Sequence, residues 1–68
     1  MEKVPVRSYS SKEIIKIVEA DGWRLLKTKG DHFQFVHDTK PGKVTIQHPV
    51  KNLPKSVVIS ILKQAGLR

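Results

Sequence analysis

No cysteine occurs anywhere in these 68 residues, which removes disulfide frameworks, thiolate metal centres and cysteine nucleophiles together. No apolar run approaches the roughly 20 residues that span a bilayer. Met1-Glu2-Lys3-Val4-Pro5 does not lead into the hydrophobic core of a signal peptide, so the expectation is a cytoplasmic protein with no membrane partner. The four glycines stand in no phosphate-binding fingerprint. Ser56 and Ser60 fall on a helical stretch with no elbow motif and no histidine to pair with, which leaves a serine-type triad without a basis. Aromatic residues are scarce: one Trp, one Tyr and two Phe. In so small a domain Trp23, Phe33 and Phe35 are expected in the core rather than as stacking platforms, leaving Tyr9 as the exposed aromatic.

Acid is missing in a more telling way. All six Asp and Glu lie within residues 1–38, where seven Lys and Arg nearly balance them, whereas residues 39–68 carry six Lys and Arg and no acid. The net charge of +7 therefore belongs almost entirely to the second half. A one-sided positive field is the footprint of a polyanion or of an acidic protein partner. The plain alternative is a solvated face that keeps the protein in solution.

What is present is regular patterning. The length allows one small domain, and the reading is an arm over residues 1–9 followed by a domain over residues 10–68. Ser10-Ser11-Lys12-Glu13 has the form of a capping box. Ile14, Ile15 and Val18 follow at helical spacing, and Gly22 can close the helix, so a helix is expected over about residues 11–21. Trp23 to Lys29 suits a strand, with Trp23 and Leu25 expected to face inward. Gly30-Asp31 fits a two-residue type II′ hairpin turn. In the next strand, alternation sends Phe33, Phe35 and His37 to one face and His32, Gln34 and Val36 to the other. After the turn cluster around Pro41-Gly42, Val44 and Ile46 point inward in a third strand that Pro49 ends. Pro54 suits the first turn of a second helix, expected from about Pro54 to Ala65, with Val57, Val58, Ile61, Leu62 and Ala65 as its apolar stripe and Gly66 behind it. The expected fold is therefore α+β, a single α-β-β-β-α domain with a three-stranded antiparallel sheet and both helices on one face, like a double-stranded-RNA-binding domain.

Three histidines raise the question of metal. His32 and His37 are five apart on one strand and face opposite sides, and His48 ends another strand, so no ligand set converges and no metal or other cofactor is expected. That leaves His32 on the open face, framed by Lys27, Thr28, Lys29 and Gln34. Two readings fit it: a solvated strand residue, or a proton carrier in RNA phosphodiester chemistry, where the ribose 2′-hydroxyl is the nucleophile.

Asp21-Gly22-Trp23, Lys29-Gly30-Asp31-His32, His48-Pro49, Leu53-Pro54-Lys55 and the ending Ile61-Leu62-Lys63-Gln64-Ala65-Gly66-Leu67 together resemble the HicA (YcfA-like) toxins of prokaryotic HicAB toxin–antitoxin pairs. The resemblance runs from about Ser10 to Leu67. It implies a metal-independent endoribonuclease (an mRNA interferase) with a double-stranded-RNA-binding-domain-like fold, one catalytic histidine, and inhibition by a HicB-like antitoxin. By position the catalytic histidine is His32, the turn glycine Gly30 and the preceding basic residue Lys29; the charge pattern, not the resemblance, adds Lys27, Lys43 and Lys55 as substrate-binding candidates. Lys40, Lys51, Lys63 and Arg68 are weaker phosphate contacts. The partners implied are RNA and an acidic antitoxin. Asp31 stands where the family commonly has serine, and a carboxylate there favours the alternative of a non-catalytic module that binds RNA or the antitoxin.

Overall fold

The computed structural model describes residues 4–68. Its elements run α1 (Ser11–Ala20), β1 (Arg24–Lys29), β2 (His32–Val36), β3 (Val44–Gln47) and α2 (Lys55–Gln64). The α-β-β-β-α order read from periodicity is the order observed.

α1 begins where its cap is built. Ser10 Oγ accepts from the Glu13 amide at 3.1 Å, and the Glu13 carboxylate accepts from the Ser10 amide at 2.9 Å, which closes the capping box. The hydrogen bond from the Ser10 amide holds the Glu13 carboxyl below its ordinary value. The helix ends at Asp21, and Gly22 turns the chain away at φ +103°, a conformation that side chains disfavour. There is no room for a side chain either, since a Cβ at Gly22 would lie 2.7 Å from the His37 ring.

Lys29 and His32 face each other across a two-residue turn. Gly30 has φ +58° and Asp31 is not positive, the pattern of a type II′ turn. β2 is central, flanked by β1 and β3, and both pairings are antiparallel. The register sets Phe33 opposite Ile46 and Phe35 opposite Val44. Those four residues therefore share one face, and His32, Gln34, Thr45 and Gln47 share the other. Ile14 and Val18 of α1 and Val58, Ile61 and Leu62 of α2 join Trp23, Phe35, Val44 and Ile46 in a single buried cluster. Both helices thus lie on the phenylalanine face. The other face is left open.

Three expectations need correction. Leu25 does not point into the core: it is 47% exposed and Leu26 is 46% exposed. The register shifts between Leu25 and Lys27, so Leu26 is an extra residue in a bulge, and β1 lies at the sheet edge beyond the cover of the helices. Val57 is 39% exposed; α2 buries a narrower stripe of Val58, Ile61, Leu62 and Ala65, with Pro54 outside the helix as its N-cap. Tyr9 is buried, not exposed. Its backbone pairs with Leu53, its hydroxyl donates to the Pro5 carbonyl at 2.7 Å, and the Arg7 guanidinium sits 3.9 Å from the ring centre. Residues 4–9 of the segment expected as an arm are tied to the domain by that ring; residues 1–3 lie outside the described residues.

Candidate functional site

The open face is organised in rows across the strands. Lys29, His32 and Gln47 form one row, and Lys27, Gln34 and Thr45 form the next. Directly opposed residues have Cβ atoms about 5 Å apart, so the Lys29 ammonium and the His32 imidazole can reach the same point above the sheet. His32 is 60% exposed and Asp31 54%. Water and a ligand can both reach the imidazole.

Asp31 is held in a defined position. Its Oδ2 accepts from Gln47 Nε2 at 2.8 Å, and its Oδ1 lies 3.8 Å from His32 Nε2. The Gln47 hydrogen bond is the main reason that the Asp31 carboxyl sits below its ordinary value, with a smaller contribution from His32. A fixed negative charge thus stands beside the imidazole. Nothing in the sequence around Asp31 announced Gln47, because the contact depends on the β2–β3 register.

The other two histidines are tied into the structure by side-chain or backbone contacts. His37 Nδ1 lies 3.0 Å from the Thr39 amide and 3.2 Å from the Lys40 amide, and both donate to it. Nε2 therefore carries the proton and donates to the Asp21 carbonyl at 2.7 Å. The ring also meets Trp23 edge-on at 5.2 Å. His48 Nδ1 lies 2.6 Å from Ser11 Oγ, and its ring meets Phe33 edge-on at 4.9 Å. Among the described residues no three of His, Asp and Glu gather as metal ligands.

Of the positions singled out in the sequence, Lys27, Lys29, Gly30 and His32 come together at one end of the open face. Lys43 precedes β3 and stands four residues from Gln47, roughly 13 Å away at the rise of a strand. Lys55 opens α2, in the helix layer. Lys40 is not a free phosphate contact: its ammonium meets the Asp21 carboxylate and donates to the Ala65 carbonyl at 3.1 Å. That carbonyl also accepts from Trp23 Nε1 at 3.2 Å, so the pair closes the C-terminal end of α2. The reading of residues alone missed a cleft beside His48, where Ser11 comes against Val50 from 39 positions away. No local signal could have found it.

No helix among the described residues is long and apolar enough to cross a membrane. Comparison with curated proteins finds no match. Residues 11–67 match the family model described as "HicA toxin of bacterial toxin-antitoxin", a span that takes in every element of the fold. A toxin of such a pair implies a cognate antitoxin. The chain belongs to the HicA toxin family of bacterial toxin–antitoxin systems.

Proposed function

We propose that this toxin is a metal-independent endoribonuclease acting on messenger RNA, with His32 as its proton carrier. The observation that carries the reading is the row Lys29–His32 on the open face, accessible and at the head of a tight turn. In the reaction the 2′-oxygen of a ribose bonds to the adjacent phosphorus and the bond to the 5′-oxygen breaks. The proton on the 2′-hydroxyl is taken up, and one is delivered to the leaving 5′-oxygen. An imidazole suits either transfer, worth about 10²- to 10⁴-fold in rate. Lys29 and Lys27 neutralise the phosphate and the charge that grows on it in the transition state. Gly30 keeps the approach clear, with no heavy atom within 4 Å of where a Cβ would stand.

The antitoxin of this reading is HicB-like and acidic, and it covers the His32 face. Charge complementarity supports this: residues 39–68 carry no acid. A second reading has its own observation. Asp31, fixed by Gln47 beside His32, opposes an incoming phosphate, and a toxin weakened in this way keeps RNA or antitoxin binding without turnover.

The test is an RNA-cleavage time course in EDTA with the wild-type protein and His32→Ala, both shown to be folded by circular dichroism. Cleavage by the wild type and a loss of at least about 100-fold in the variant is the expected result. Equal cleavage by both removes His32 from the chemistry. Salt-dependent RNA binding by both without any cleavage selects the second reading.

A further inference from the structure

We propose that the cleft between the start of α1 and the segment 48–51 is a nucleotide subsite, which takes the base and phosphate of an RNA residue neighbouring the linkage held at His32. The inference rests on the ribonuclease reading above and adds where the RNA runs next.

The cleft has a volume of about 430 Å³, and Ser11, Lys12, His48, Pro49, Val50 and Lys51 line it. That is within the usual size of a small-ligand site. Pro49 and Val50 give it an apolar wall, and Lys12 and Lys51 are among its lining residues. Among the described residues neither lysine has an acidic partner. The helix terminus is not what would hold an anion here. The Ser11 amide already donates to the Val50 carbonyl at 2.9 Å, and the Glu13 amide is taken by Ser10.

His48 supplies the polar edge. Ser11 is buried, and its hydroxyl lies between the Val50 carbonyl at 3.1 Å, the Val50 amide at 2.8 Å and His48 Nδ1 at 2.6 Å. The hydroxyl has one proton, and whichever acceptor takes it, the imidazole is anchored through Nδ1. Its Nε2 makes no hydrogen bond among the described residues. An apolar wall, one orientated polar edge and two lysines suit a nucleobase with its phosphate, since the base can pack its face on apolar side chains while its edge offers donors and acceptors.

The cleft also adjoins the proposed reaction site. The His48 amide donates to the Asp31 carbonyl at 2.8 Å, and Gln47, one residue earlier, is the cross-strand partner of His32. A strand with one phosphate at Lys29 and His32 passes over the Gly30–Asp31 turn and arrives at His48. The open space above Gly30 lets a sugar–phosphate backbone cross there.

The test uses full-length His32→Ala protein, so that bound RNA stays intact, and a short single-stranded RNA carrying 4-thiouridine. Photocrosslinked peptides are mapped by mass spectrometry, and affinity is followed against salt. Adducts are expected within residues 48–51. Lys12→Gln with Lys51→Gln is expected to weaken RNA binding about tenfold and to flatten the salt slope by roughly 1.4, at about 0.7 per phosphate contact on a single strand. Lys16→Gln, one turn further along α1, is expected to change neither. If RNA binds but the double variant behaves like Lys16→Gln and adducts fall elsewhere, the subsite is overturned while the role of His32 stands. A double variant that loses antitoxin affinity and keeps its RNA affinity assigns the cleft to a protein contact, which also overturns it. Absence of any RNA binding overturns both.

Discussion

β2 opens on one histidine, His32, and is followed directly by another, His37, and the fold treats them in opposite ways. At the His37 end the ring is wedged against Trp23, and both ring nitrogens are hydrogen-bonded to backbone. Nearby, Lys40 and Trp23 converge on the carbonyl that ends α2. At the His32 end the ring stands in water, next to a lysine and a carboxylate. An odd spacing of five on a strand of period two sends the rings to opposite faces. A histidine with every nitrogen engaged is a structural part. One with a free ring can exchange protons.

Glycine substitutions give the widest contrast between the two ends. Gly22→Ala forces a side chain into φ +103° and a Cβ to 2.7 Å from His37 Nε2. The His37 ring is pinned to the Asp21 carbonyl, so it has little freedom to move away. Backbone strain of about 1–3 kcal/mol adds to a hydrogen bond worth about 1 kcal/mol, and a loss of roughly 2–4 kcal/mol is expected in urea unfolding. Gly30→Ala meets open space at φ +58° and is expected to cost only the left-handed penalty of about 1–2 kcal/mol. Equal losses at the two positions would mean that His37 yields readily, and the contrast between the ends would collapse.

The histidines themselves come next. His37→Ala removes the packing on Trp23 and three backbone contacts, for an expected loss of about 2 kcal/mol. His32→Ala is expected to stay within about 0.5 kcal/mol of wild type, as surface positions do. Comparison of the two melting curves under one set of conditions is sufficient. A destabilised His32→Ala would also undermine the cleavage test, since lost activity would then have a structural cause.

Much of this arrangement was legible in the sequence because its signals are local. Ser10 and Glu13 are three residues apart, Gly30 and Asp31 are adjacent, and the alternation that hid Phe33 and Phe35 exposed His32. What the sequence did not disclose depends on contacts between distant segments. Tyr9 is buried because its backbone pairs with Leu53, and Lys40 is taken out of the phosphate-binding set by Asp21 and Ala65. Leu25 failed for a different reason. Its register partner is Phe35, so alternation gives it the right face, but no local pattern shows that β1 is the sheet edge and lies beyond the cover of the helices.

Acid titration probes the molecule through its two depressed carboxyls, one in the cap of α1 and one in the β1–β2 turn. Glu13 lies below 4.5 because of the Ser10 backbone hydrogen bond, and Asp31 lies below 3.8 because of Gln47. A carboxyl with a folded-state value below its unfolded one stabilises fully above the unfolded value and loses that contribution as pH falls through the folded one. Stability is therefore expected to be flat from neutrality to about pH 5 and to decline below it. Glu13→Gln should make the decline shallower. An unchanged profile in that variant would assign the acid sensitivity to other groups.

The smallest expected effect concerns the negative charge at the His32 end. Asp31→Asn keeps an oxygen that can accept from Gln47 Nε2, so the turn and the β2–β3 register are preserved while the negative charge is removed. For exposed charges a few ångströms apart, interactions amount to about 0.2–1 kcal/mol. RNA affinity is therefore expected to rise by no more than about fivefold at low salt. The gain should shrink as salt screens the exposed charges. In that outcome Asp31 moderates phosphate binding without being part of the turn's framework. A fall in affinity would reverse this, because the carboxylate would then hold the His32 ring through their ion pair in the orientation that meets RNA, and its repulsion of the phosphate would be secondary.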